Sequence, residues 1–215
     1  MPLTLLALDL STAHGSIAVL RGDDVLFEAA FQSERSHNAQ VFAPLREALA
    51  AAGGGLAGIV IGNGPGSYTG VRIAISAAQG IALSRGVWCA GWSSLTAPDV
   101  VAPASYNVVG DARRQSFYLA RVENGRLLPE VGTVSADAAR GRVDDGQPWL
   151  TFDAKPPLDL PGIVSARPSA AGLARNVQAL SGEELAELVA RPLVPHYLAE
   201  AFITVAKKRA GVPAP

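Results

Sequence analysis

From Leu3 to Leu10 the run LTLLALDL is apolar almost without a break and closes on Asp9, the pattern of a strand covered on both faces. Turn formers fill Ser11 to Gly15. Ser16–Leu20 and Val25–Gln32 then read as two more strands joined at Arg21-Gly22-Asp23-Asp24, a hairpin signal, so three antiparallel strands open the chain. Val41, Leu45, Ala48, Leu49 and Ala52 recur at helical spacing and predict a helix over 37–52, stopped by the glycines 53–55. A short apolar run at Gly58–Gly62 predicts a buried strand. The turn-rich GNGPGSYTG at Gly62–Gly70 leads into a helix from Val71 to about Ser84. Val71, Ala74, Ala78 and Ala82 line one side of it and Ile73, Ala77, Gly80 and Ile81 the other, so burial on more than one side is expected. Val87–Gly91 is a further strand, after which Pro98 and Pro103 oppose any helix and mark a boundary.

The second half echoes the first. Tyr106–Gly110 runs into Asp111 as Leu5–Leu8 runs into Asp9, followed by strands at Ser116–Val122, around Leu127–Val134 and at Pro148–Phe152. Residues 137–146 are weakly patterned, a loop or a short helix, and Lys155–Pro161 is loop by its prolines. Helices are expected at Ala170–Leu180, Glu183–Ala190 and about 199–210, with Arg191–His196 extended before the last. This order predicts an α/β fold of two RNase-H-like lobes, the second reduced, as in the actin and sugar-kinase superfamily. The expected division is 1–104 for the first lobe and 105–198 for the second, the terminal helix packing back on the first.

Composition narrows the chemistry. Among 215 residues, Lys+Arg 18 against Asp+Glu 19 leave a net charge of -1, too little to hold a polyanion by counterion release, so autonomous tRNA or other nucleic-acid binding is not expected. The single cysteine, Cys89, excludes an intramolecular disulfide and a multi-thiolate zinc site, and fits a cytoplasmic protein. No run approaches the ~20 apolar residues of a bilayer span. Without HxxxH, HExxH or CxxC, no protein-built metal site is expected.

Asp9 with Ser11 and Thr12 at a strand-turn-strand is a candidate phosphate or nucleotide contact, since turn N–H groups hold phosphate oxygens while the carboxylate orients a metal or water. An ordinary hairpin whose Asp and Ser bond their own turn stands beside that reading. The loop of Gly64, Pro65, Gly66, Ser67, Thr69 and Gly70 fails the tests for a Walker loop, a dinucleotide fingerprint and a GxSxG elbow. What remains is a helix entry capped by Ser67 or Thr69. A Ser67/His37/Asp9 triad has no support in the spacing, and Asn63 stands where a two-metal nuclease needs a third acid. The small-sided helix behind the loop, beside the helix from His37, offers a helical pair for docking or for internal packing.

Taken in order, ALDLSTAHGSIAVL at Ala7–Leu20, SHNAQVFAPL at Ser36–Leu45, GNGPGSYTGVRIAISAAQGIAL at Gly62–Leu83, DARRQSFYLA at Asp111–Ala120 and PHYLAEAF at Pro195–Phe202 resemble the landmarks of the bacterial TsaB (YeaZ) family. GPGSYTGVRI is the most specific of these. The chain departs from the family at Pro98 and Pro103 and at Ala199, where the family has arginine. The resemblance implies a cytoplasmic, non-catalytic subunit for making threonylcarbamoyladenosine beside the tRNA anticodon. In that picture it binds and supports the transferase TsaD, works with TsaE and pairs with itself when free. Its partner face would hold His37, Phe42, Val71, Arg72, Ile75, Ser76 and Gln79; it would need no cofactor of its own, with ATP or ADP at the TsaD junction a candidate. The competing expectations are a small actin-like ATPase or kinase with phosphate at Asp9–Thr12 and a serine peptidase using Ser67.

Overall fold

The computed structural model describes residues 2–32, 37–129, 132–143, 147–158, 162–196 and 198, and of 37–39 and 143 the backbone alone. Every residue of β1 (Thr4–Asp9) is buried, as its unbroken apolar run requires. β2 (His14–Arg21) and β3 (Asp24–Gln32) extend it antiparallel on one side, β4 (Leu56–Gly62) and β5 (Trp88–Trp92) parallel on the other, in the order β3-β2-β1-β4-β5. Leu8 lies opposite Ile17 and Ile61, and Leu6 opposite Val19 and Ile59. These residues share one face, which α1 (His37–Ala52) and α2 (Tyr68–Arg85) cover with Val41, Leu45, Ala48, Val71, Ala74 and Ala78. The helices cross over because parallel neighbours β1, β4 and β5 cannot be joined by tight turns.

The second sheet repeats this plan. β6 (Ser105–Arg113) is flanked by antiparallel β7 (Ser116–Glu123), which carries β8 (Arg126–Leu127) and β9 (Gly132–Ser135), and by parallel β10 (Trp149–Thr151), then β11 (Ile163–Ser165). The sequence of third, second, first, fourth and fifth strand is therefore the same in both sheets, the duplication expected from the sequence. Reduction shows in the helices: the eight-residue α3 (Ala136–Val143) stands where α1 stands, and among the described residues no helix joins β10 to β11. Within the weakly patterned stretch, residues 137–143 are helical, and 144–146 lie outside the described residues. β11, only three residues between Gly162 and Ala166, carried no sequence signal.

Two expectations change. α4 (Ala170–Gln178) and α5 (Gly182–Ala190), assigned by sequence to the second lobe within 105–198, pack instead on the open face of the first sheet. Ala170, Ala171, Leu173, Ala174, Val177 and Leu188 meet Leu5, Ala7, Ala18, Leu20, Val60 and Ala90 there. Pro98 and Pro103 leave the first lobe without a helix of its own after β5, so its second apolar face is covered from the far end of the chain. The other change concerns the strand-end aspartates. Asp9 shares a face with Ala7, on the α4 side, whereas Asp111 shares one with Val109, on the side of α3, the counterpart of α1. The echo in sequence is not an equivalence in space. The expected helix at about 199–210 and Ala199 lie outside the described residues.

Candidate functional site

The carboxyl of Asp9 is fully buried at the end of β1, and its Oδ1 accepts from Ser11 N–H at 2.8 Å and Ser11 Oγ at 2.7 Å. Oδ2 has no hydrogen-bond partner among the described residues. Burial pushes the Asp9 carboxyl up from 3.8, with the hydroxyls of Ser94 and Ser11 and the Ser11 N–H pulling the other way. The Ser94 hydroxyl thus acts on the charge from nearby while falling outside hydrogen-bond geometry to Oδ2. Thr12 turns its hydroxyl to His14 O at 3.1 Å. Asp9 Oδ1 and the hydroxyls of Ser11 and Thr12 are therefore spent on their own turn.

The glycine loop is tied to that turn and to the end of β5. Ser67 N–H donates to Ser11 O at 2.6 Å, Ser94 N–H donates to Gly64 O at 3.0 Å, and Gly64 N–H donates to Ser94 Oγ at 3.1 Å. A Cβ on Gly66 would collide with the Ser11 carbonyl, one on Gly70 with the Leu10 carbonyl, and one on Gly62 with the Asp9 carboxylate. The glycine spacing lets three backbones approach closely, and this accounts for it without a ligand. Ser67 caps α2, its Oγ accepting from Gly70 N–H at 3.2 Å. No hydrogen bond joins Ser67 to a histidine among the described residues.

Between the lobes lies a cleft of about 560 Å³, with Ser11, Thr12, Gly66, Ser67 and Thr69 on one wall and Asp111, Arg113, Tyr118 and Asp153 on the other. Asp111 N–H donates to Asp153 Oδ2 at 2.7 Å, and Arg113 N–H to Asp111 Oδ1 at 2.7 Å. Burial raises the Asp153 carboxyl; the Asp111 N–H it accepts from opposes that shift, the Asp111 carboxylate adds to it and Arg113 opposes it. The Tyr118 phenol is likewise held up, by burial first and by Asp153 and Asp111 after it. Arg113, Arg114 and Gln115 all take left-handed conformations, at φ 73, 54 and 63°, and turn the chain tightly beside these acids. Two carboxyls facing the cleft oppose an anion, while Arg113, ion-paired to Asp111 at 3.5 Å, offers one cation in return. Among the described residues, no group of three or more His, Cys, Asp and Glu converges to hold a metal ion.

A family model described as TsaD, tRNA N6-adenosine threonylcarbamoyltransferase, matches residues 31–190. The chain is also 36% identical, over 60% of its length, to the tRNA threonylcarbamoyladenosine biosynthesis protein TsaB of Haemophilus influenzae. It belongs to the TsaD/TsaB (YeaZ) family. The alignment spans 58% of the Haemophilus TsaB and 64% of Bacillus subtilis TsaB, to which identity is 32%. An uncharacterized Mycobacterium tuberculosis protein is 33% identical over 91% of both chains. YeaZ from Pseudomonas aeruginosa superposes with a TM-score of 0.67 at 24% identity, covering 91% of this chain and 100% of that one, which fixes the two-lobed fold.

The TsaB-like docking residues separate by exposure. Phe42 of α1 is 58% exposed, and Arg72, Ser76 and Gln79 lie on the open side of α2. Val71 and Ile75 are buried in the core under α2, at 2% and 7%, and hold the helix to its sheet; they are not surface contacts. The side chain of His37 lies outside the described residues. Sequence reasoning missed Tyr68, 51% exposed at the first position of α2, with the Arg72 guanidinium 4.0 Å from its ring centroid. The i, i+4 pairing of an aromatic with arginine was the signal available. Ser94 and Asp153 were also missed, because only the fold brings them to the loop and the cleft.

Proposed function

We propose that this protein is a non-catalytic subunit in the making of threonylcarbamoyladenosine in tRNA, and that it docks a TsaD-type partner with the open face of α1 and α2. The observation that carries this reading is the stripe of Phe42, Tyr68, Arg72, Ser76, Gln79 and Leu83, the last 88% exposed, on helices whose other sides are packed on the sheet. Exposed Phe42, Tyr68 and Leu83 interleaved with polar Arg72, Ser76 and Gln79 suit a protein partner. The names of the Haemophilus and Bacillus relatives supply the pathway. TsaE as a further component, self-pairing of the free protein through the same helices, a cytoplasmic location and ATP or ADP at the junction with TsaD belong to the same proposal. Among the described residues no helix is long and apolar enough to cross a membrane.

The inward turn of Asp9 and Ser11 supports a structural role for them over the phosphate contact of an actin-like ATPase. Ser67 as a helix cap, its hydroxyl accepting from Gly70, supports a role other than a peptidase nucleophile. Ser76→Arg places a long cation on the exposed face without touching the core. It is expected to weaken binding of the organism's TsaD by about 2 kcal/mol or more in calorimetry, the scale of an interface hot spot, and to lower threonylcarbamoyl transfer by the reconstituted proteins. Undiminished binding with an unchanged fold would sink the docking face.

A further inference from the structure

The chain crosses between the lobes at 97–104 and again at 166–169, and these two segments are zipped together. Asp99 N–H donates to Arg167 O at 2.9 Å, Arg167 N–H to Asp99 Oδ1 at 2.7 Å and Ser169 N–H to Ala97 O at 2.8 Å, with Pro98 bridged to Pro168. Such a narrow ladder suits a hinge, and beside it Leu95 of the first lobe is buried against Tyr106 and Val108 of the second, its carbonyl accepting from the Tyr106 hydroxyl at 2.8 Å.

A separate set of contacts lies off that line. The tight turn between β7 and β8 reaches across from the second lobe. Its Asn124 and Gly125 have φ of 49° and 72°, the left-handed pair that a two-residue hairpin demands. Gly125 O accepts from the Trp92 indole Nε1–H at 3.0 Å, at the end of β5 in the first lobe. The α-carbon of Gly125 lies against the Asn176 side chain of α4, where a Cβ would collide with it. Asn176 is itself held by Thr96, donating to its carbonyl at 3.0 Å, and Arg126 pairs with Glu184 of α5 at 2.7 Å. Ser169 and Asn176 stand about 10 Å apart along α4, at ~1.5 Å per residue. A hinge plus a contact this far from its axis removes the remaining rotation.

We propose that the Asn124–Gly125 turn is an interlobe clasp, which fixes the angle between the lobes and with it the width of the cleft. Its chemistry explains its sequence: glycine for the left-handed backbone and the close approach to Asn176, Trp92 as the donor on the opposite lobe, and Arg126 and Glu184 as an outer tie. The lobes then meet a partner at one preset angle, and the cleft does not close around a ligand as a jaw would.

The experiment measures an interlobe distance by double electron–electron resonance. Spin labels are placed at Ala50→Cys in α1 and Ala138→Cys in α3, both exposed, in a full chain carrying Cys89→Ser. With the clasp intact one narrow distance is expected, unchanged by ATP and magnesium. Gly125→Ala is expected to add a population at a different distance. Trp92→Phe keeps an aromatic ring while deleting the donor, so it gives the same readout if the alanine variant fails to fold. A broad distribution in the parent, a shift on adding ATP and magnesium, or a narrow distribution retained in the folded variants would overturn the clasp.

Discussion

Asp9 is an acid buried away from water, where no cation among the described residues answers it. Its native pKa lies above 3.8, so the folded state keeps a proton that the unfolded chain releases first as the pH rises. The stability it contributes is complete below the unfolded value and is lost as the pH climbs through the raised native value. Asp9→Asn mimics the protonated form and removes that slope. The stability of the variant relative to the parent should therefore grow from about pH 4 upward, as read by urea denaturation at a series of pH values. Parallel profiles would mean that the carboxyl is charged and satisfied in the fold. Motif reading found this residue and left a phosphate contact and a self-bonded turn open; its neighbours Ser94, in the 3-10 turn after β5, and Gly62, at the end of β4, arrive from other segments.

α2 is two-faced in a way its sequence did not declare. Ile73, Ala77 and Ile81 are only half-buried, and Ser76, Gln79, Gly80 and Leu83 are exposed, although small apolar residues on both sides pointed to burial of both. Ala and Gly suit either a core or a contact surface, so composition alone does not choose between them. The seat of α2 is the backbone contact at Gly70 beneath its first turn. Gly70→Ala would drive a Cβ into the Leu10 carbonyl, and the strain should cost about 1–3 kcal/mol of stability, visible as an earlier thermal transition. An unchanged transition would show that the loop yields at no cost. α4 was legible as a helix and not as a neighbour of β1 and β2, because its Ala-rich face carries no address.

At the scale of the molecule, the first sheet depends on residues more than a hundred positions downstream. A fragment ending near residue 104 leaves Leu5, Ala7, Ala18, Leu20, Val60 and Ala90 bare. Each large side chain so exposed forfeits about 1.5–3 kcal/mol, against a typical net stability of ~5–15 kcal/mol. The fragment is therefore expected to aggregate or bind a hydrophobic dye, and co-expression with 162–215 should restore its solubility. A monomeric, cooperatively unfolding fragment would show that α4 and α5 are dispensable to the first lobe.

By itself the sequence determined the local conformations and their order: the continuous apolar strand at 3–10, the capped helix after Ser67, the hairpins and the repeated strand plan. These follow from periodicities and turn chemistry that act over a few residues. It also carried the resemblance to TsaB. Tertiary structure alone decided which lobe α4 and α5 complete, which way Asp9 and Asp111 face, and that Val71 and Ile75 of α2 face the core while Phe42 of α1 and Ser76 of α2 are exposed. Those outcomes depend on contacts between distant segments, and alternation along a strand or helix states that a face is apolar without stating what will cover it.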